Sequence, residues 1–171
     1  MAGIEALAPV VVVGATALLI LLVDTFVKGK RNGVAALLGA LGLAGGFAAT
    51  AYNIAAGTNA QLFEGMLVVD GFALFFYVAV LIVASLVVVA SFDYIEEFYP
   101  DGYANMTEYV VLVLFATTGM MLMASSRSLV TAFIALEFTS LPSYALVAFM
   151  KRERASVEGG MKYFLLGALS S

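Results

Sequence analysis

Five apolar runs, at about 7–27, 33–56, 72–92, 109–125 and 129–150, are each long enough to cross a bilayer, and a sixth begins near residue 159. A hydrocarbon core about 30 Å thick needs roughly 20 helical residues at about 1.5 Å each. No water is available there to satisfy backbone N–H and C=O groups, so spans of this length have to be helices that close their own hydrogen bonds. The predicted fold is all-α and polytopic: five transmembrane helices plus the start of a sixth, forming one transmembrane domain over residues 1–171. Composition agrees, since only 12% of the residues are charged, against about 25% in soluble domains. Cysteine and histidine are both absent, which removes thiolate clusters, histidine-ligated haem and zinc, and any Cys/His nucleophile pair. No metal or redox cofactor is expected in this chain.

Basic residues fall in two clusters, Lys28, Lys30 and Arg31 after the first span and Lys151, Arg152 and Arg154 after the fifth. Loops 28–31 and 151–154 share one side by parity, and the positive-inside rule makes that side cytoplasmic, with the N-terminus and the Arg127 turn outside. The N-terminus, MAGIEALAP, has no basic region and carries Glu5, so the first run reads as a retained span and not a cleaved signal. The expectation is an integral protein of a prokaryotic plasma membrane, in contact with the lipid bilayer and with no nucleic-acid partner. Residues 93–108 read as an inner loop, with Tyr94, Tyr99, Tyr103 and Tyr109 in the interfacial belt. The outer stretch GTNAQLFEGMLVVD is open to two readings, a short hairpin or a surface helix. Gly39, Gly42 and Gly46 recur along one helical face and mark close helix packing. From Gly159 onward about 13 residues remain, roughly 20 Å of helix, so the chain is expected to be the N-terminal fragment of a longer subunit.

One carboxylate, Glu137, stands near the middle of the fifth run, LVTAFIALEFTSLPSYALVAFM. It lies about eight residues past one boundary and thirteen before the other, roughly 12 and 20 Å from water. An ionisable group at that depth costs on the order of 3 kcal/mol or more to insert, and marks a transport or proton-relay path unless it is a neutral structural acid. Pro142 favours the path, because it has no N–H and its ring crowds the carbonyl of Phe138, next to the acid. A freed carbonyl and the hydroxyls of Thr139, Ser140 and Ser143 are suited to holding water there. Asp24 and Glu108 sit at span ends and read as solvated boundary groups, with Glu108 the candidate inlet to an internal path.

Lys162 lies a few residues into the sixth run, on what should be the antiparallel neighbour of the fifth helix. Glu137 and Lys162 then offer each other a counter-charge. Burial disfavours the charged form of both, whereas proximity restores it, so their separation decides whether the lysine keeps its proton. Such a pair moves protons without metal or histidine.

The run EYVVLVLFATTGMMLMASSRSLVTAFIALEFTSLPSYALVAF, followed by EGGMKYFLLGALSS, resembles the membrane N subunits of respiratory complex I, the proton-pumping NADH–quinone oxidoreductases. These belong with antiporter-like subunits that are similar to components of multisubunit sodium/proton antiporters. The resemblance is strongest over 105–171, extends to VVDGFALFFYVAVLIVASLVVVAS at 68–91, and rests mainly on hydropathy in the first two spans. SLPSYAL at 140–146 favours the N subunit over its larger relatives. The resemblance implies that Glu137 and Lys162 are the family's helix-five glutamate and helix-six lysine. It also implies partnership with other membrane subunits of a complex I-like assembly, whose quinone and NADH, or another donor, are used outside this chain. A sodium/proton antiporter subunit and a truncated, non-transporting scaffold are the alternatives.

Overall fold

The computed structural model describes residues 3–26, 32–98 and 103–170; Lys28, Lys30, Arg31 and Tyr99 lie outside them, as do the side chains of Tyr94 and Tyr103. A short 3-10 turn, Ile4–Leu7, leads into α1 (Ala8–Phe26), followed by α2 (Asn32–Ala55), strands β1 (Ala60–Leu62) and β2 (Leu67–Val69), α3 (Gly71–Phe98), α4 (Tyr103–Ser125), α5 (Leu129–Val147) and α6 (Arg154–Ser170). Among the described residues five helices are long and apolar enough to span a membrane, ending with Leu129–Val147. The all-α polytopic architecture is the one the apolar runs predict.

Three boundaries differ from the sequence reading. Residues 93–108 are not a loop, because α3 runs on to Phe98 and α4 begins at Tyr103. With 28 residues, α3 is about 42 Å long, well beyond a core of about 30 Å. Hydropathy locates the part of a helix in lipid, but polar residues continue its hydrogen bonding into water. For the same reason α6 starts at Arg154, ahead of the predicted position near 159.

The outer stretch resolves as a hairpin. β1 and β2 pair antiparallel, Ala60 opposite Val69 and Leu62 opposite Leu67, so Leu62, Leu67 and Val69 turn inward at alternate positions. The turn between them carries Phe63, Glu64 and Gly65 at positive φ, with Gly65 meeting that demand without a Cβ penalty. Leu67 bridges Ser126, and the Arg127 N–H donates to the Met66 carbonyl at 2.9 Å. The hairpin thereby ties the α4–α5 turn to the entrance of α3, whose first turn is capped by Asp70 accepting from the Ala73 N–H at 3.0 Å.

Helix α4 is central and packs against α1, α2, α3 and α5. Val13, Ala17 and Ile20 of α1, Tyr77 and Leu81 of α3, and Val110, Leu114 and Met121 of α4 form the core with Leu43 of α2. The α2 glycines divide their close approaches: Gly42 receives Thr16 and Gly46 receives Val13, both of α1, while Gly46 also meets Leu81 and Gly39 meets Val110. Buried Thr50, Thr117 and Thr118 turn their hydroxyls onto carbonyls four residues back in their own helices. That satisfies a polar group where no water is available.

A longer-range bond joins the C-terminal end of α2 to the 3-10 turn that precedes α1. The buried Asn53 amide donates to the Ala6 carbonyl at 2.9 Å. Asn53→Ala leaves that carbonyl without its donor, and the expected loss is about 1–3 kcal/mol. A lowered midpoint of thermal unfolding in detergent checks it, and an unchanged midpoint counts against the bond.

Candidate functional site

Helix α5 begins where the chain leaves the hairpin clamp. Ser128 and Thr131 form a reciprocal cap, each side chain accepting from the other's backbone N–H at 3.4 and 3.3 Å. The Thr131 hydroxyl also donates to Met66 O at 3.1 Å. The helix then passes through Pro142 without ending. Two hydroxyls run back along it, Ser143 to the Thr139 carbonyl at 2.8 Å and Thr139 to the Ala135 carbonyl at 2.9 Å. Their donors therefore serve the helix itself, and Ser140, which makes no hydrogen bond among the described residues, is the one of the three predicted hydroxyls left to water.

The peptide that Pro142 deprives of a helical donor lies against α4. A Cβ placed on Gly119 would come within 2.7 Å of the Thr139 nitrogen and 3.0 Å of the Phe138 carbonyl carbon. The two backbones touch here, so water near the acid has to sit elsewhere than between α4 and α5. Phe115 and Phe138, with ring centroids 5.9 Å apart, continue the same seam.

Glu137 points away from that contact. At about 100° per residue, Ala135, Thr139 and Pro142 share the α4 face, whereas Glu137 shares a stripe with Tyr144 and Ala148. That stripe is the one α6 meets: Gly160 receives Ala148, and the Tyr144 ring packs edge-on against Tyr163 and Phe164 at 4.8 and 5.7 Å. Glu137 is half-buried and has no hydrogen-bond or ion-pair partner among the described residues. Only 6% of the α5 span is buried, compared with 61% of α4, so α5 and α6 form the flank of the bundle.

The structure does not bring Glu137 and Lys162 together as the sequence reading expected. Gly160 opposite Ala148 fixes the antiparallel register, which puts Lys162 level with Leu146, nine residues or roughly 13 Å along the helix axis from Glu137, and about 200° around α6 from Gly160, on the face turned away from α5. Side chains lean toward the N-terminus of their own helix, and in antiparallel helices this turns the two groups further apart. Lys162 Nζ instead bonds Glu158 Oε1 at 2.6 Å, an i,i+4 pair with both side chains largely exposed. Its signal was readable in EGGMK, a glutamate one turn before a lysine, the favoured order on a helix.

At the same end of the bundle, Lys151 Nζ lies 3.5 Å from Glu108 Oε2. The predicted inlet acid thus faces a basic residue of the α5–α6 connection, and both are well exposed. Asp24 is exposed at the last turn of α1. Tyr109, placed in the interfacial belt by sequence, packs edge-on against Phe149 at 5.2 Å. Sequence reasoning missed Gly119, Gly160 and Gly167 as contact points, since an isolated helix-interior glycine does not say which helix it meets. Among the described residues no group of three or more Asp, Glu, His or Cys side chains is arranged to hold a metal ion.

Residues 126–171, which contain α5 and α6, match the model of the NADH:quinone oxidoreductase/Mrp antiporter transmembrane family. The chain is 38% identical over 170 residues to NADH-quinone oxidoreductase subunit N of Trichlorobacter lovleyi, covering 99% of this chain and 34% of that protein. It is 36% identical over 173 residues to subunit N 2 of Symbiobacterium thermophilum, covering 97% and 34%. Over 171 residues it is 36% identical to F(420)H(2) dehydrogenase subunit N of Methanosarcina mazei, covering 96% and 34%. The chain spans about a third of the length of these curated relatives.

Proposed function

Because the chain belongs to the NADH:quinone oxidoreductase/Mrp antiporter transmembrane family, we propose that it is part of a proton-translocating membrane subunit of a complex I-like quinone oxidoreductase. The observation that carries the reading is Glu137: a half-buried carboxylate in mid-span, on the α6-facing stripe, with no partner among the described residues. An acid held at that depth without a structural partner is suited to taking up and releasing a proton. Lys162, paired with Glu158, is the second station of the path, and Glu108 beside Lys151 is its inlet.

Two relatives named for different dehydrogenases, one for NADH–quinone and one for F(420)H(2), align with this chain along nearly its whole length. That supports a proton-handling role shared across complexes with different electron donors. In this reading the quinone and the donor are handled by partner subunits, the chain itself holds no redox group, and the complex lies in a prokaryotic plasma membrane. The basic ends at 28–31 and 151–154 face the cytoplasm.

The 13 Å offset makes the path a sequence of steps in place of a direct exchange between two touching charges. Lys162→Ala in the full-length subunit, within its complex, is expected to cut quinone-coupled proton pumping to about a hundredth, the low end of what a positioned proton-transfer group contributes. Acidification by membrane vesicles during quinone reduction measures it. Unchanged pumping in both Lys162→Ala and Glu137→Gln, with normal assembly, overturns the reading. Sodium-dependent proton exchange that needs no quinone would point instead to an antiporter subunit.

A further inference from the structure

We infer that the groove between the carboxyl end of α2 and the start of α3 binds an aminophospholipid, its ammonium at the mouth and one acyl chain along the wall. The site lies apart from the proposed proton path and does not depend on it. The groove holds about 520 Å³, within the roughly 300–1,000 Å³ of small-molecule sites.

Its shape follows from how the two helices end. α2 stops in a Schellman turn: the Gly57 N–H donates to the Ile54 carbonyl at 3.1 Å and the Thr58 N–H to the Asn53 carbonyl at 3.0 Å, with Gly57 at positive φ. The chain then enters the hairpin and returns at Gly71. Gly46 against Leu81 sets the antiparallel register, so Ile54 falls one residue from the level of Leu74. Gly57 and Gly71 both line the groove, and a Cβ on either would meet no atom within 4 Å. Two residues without side chains thus leave the gap open.

The wall is apolar and open to lipid. Ile54, Leu74, Phe75 and Val78 line it, the last three along the first turns of the span Gly71–Ser91. Ile54 and Phe75 are 52% and 68% exposed while Leu74 is buried. The groove therefore opens sideways onto the apolar surface that the helices present to the bilayer, and an acyl chain laid in it is continuous with the surrounding hydrocarbon.

The mouth is polar and negative. Thr58 and Asn59 line it, and no Lys or Arg does. α2 presents the negative end of its dipole here, its last turn has no basic residue, and the Ala55 carbonyl accepts no hydrogen bond among the described residues. Asp70 adjoins Gly71 on the other side: one oxygen caps Ala73, and the carboxylate has no ion-pair partner among the described residues. A primary ammonium, with three donors and one positive charge, matches a carboxylate and free carbonyls. A headgroup that carries only phosphate meets like charge instead.

The test uses the full-length subunit within its complex, in nanodiscs of phosphatidylethanolamine and phosphatidylglycerol, with a photoactivatable group on the acyl chain of one lipid or the other. The phosphatidylethanolamine probe is expected to label residues within 54–59 and 71–78, and excess unlabelled phosphatidylethanolamine, but not phosphatidylglycerol, to displace it. Asp70→Asn keeps a capping side chain and removes the charge, so labelling there should fall about tenfold, the loss of one hydrogen bond to a charged group. Gly71→Leu, built into the open volume, should abolish labelling in the groove and leave labelling elsewhere unchanged. Equal labelling by the two probes overturns the inference, because it reports bulk lipid only. Absence of labelling also overturns it, since a neighbouring subunit would then cover the groove, and so does parent-level labelling of Asp70→Asn. The headgroup comparison is made on the parent, so it decides the matter even where a variant fails to accumulate.

Discussion

Glu137→Gln in the full-length subunit is expected to reduce quinone-coupled proton pumping to about a hundredth or less, since a positioned proton-transfer group typically contributes on the order of 10²–10⁴ in rate. The substitution keeps the shape of the side chain and removes its ability to exchange a proton. Because Glu137 has no hydrogen-bond or ion-pair partner among the described residues, glutamine there breaks no contact that holds α5 to α4 or α6. Assembly is therefore expected to persist, and the loss should appear in vesicle acidification and not in the amount of subunit in the membrane. Glu137→Asp shortens the reach by one methylene while retaining the proton, and should keep part of the activity. If glutamine leaves pumping intact in an assembled complex, the carboxylate is a structural acid and the path runs elsewhere.

The largest effect on stability is expected at Gly119. Even a single Cβ there would lie within 2.7 Å of the Thr139 backbone nitrogen and 3.0 Å of the Phe138 carbonyl carbon, and the Thr139 hydroxyl is closer still. Backbone atoms in the middle of a helix cannot step aside as a flexible side-chain end does, so α5 has to move off α4. Overpacking of this kind costs about 1–3 kcal/mol and sometimes more. Gly119→Val should exceed Gly119→Ala, and both should lower the unfolding midpoint and the amount of subunit recovered. Gly71 is the built-in control: a Cβ there meets no atom within 4 Å, so Gly71→Ala is expected to leave both measurements unchanged. A Gly119→Val subunit as stable as the parent would mean that α4 and α5 do not approach as closely as described.

These two sites differ in how far the sequence announces them. Glu137 is legible from hydropathy alone, because one acid in a membrane-length apolar run carries a cost that composition cannot hide. Gly119 is not, since ATTGMM contains nothing to distinguish a helix contact from a lipid-facing gap. The glycines at 42 and 46 were recognisable as a packing face from their four-residue spacing, yet that spacing could not say that α1 would fill both positions and that α3 would also reach the second. The stretch GTNAQLFEGMLVVD left hairpin and helix equally open; the alternation of Leu62, Leu67 and Val69 inward, together with the Met66 carbonyl gripped by Arg127 and Thr131, settles it as a hairpin.

By itself the sequence determined what each span is: a helix, because unsatisfied backbone is prohibitive in lipid, and an acid-bearing helix at the fifth position. It also contained the stretch, residues 126–171, that matches the family model. Only the tertiary structure decided which side chains meet, because that depends on the register between helices, and register is set by where glycines let two backbones approach. Glu137 and Lys162 stand on adjacent helices in the sequence reading, but Gly160 seated on Ala148 sets them about 13 Å apart along the helix axis and turns Lys162 to the far face of α6, where it pairs with Glu158.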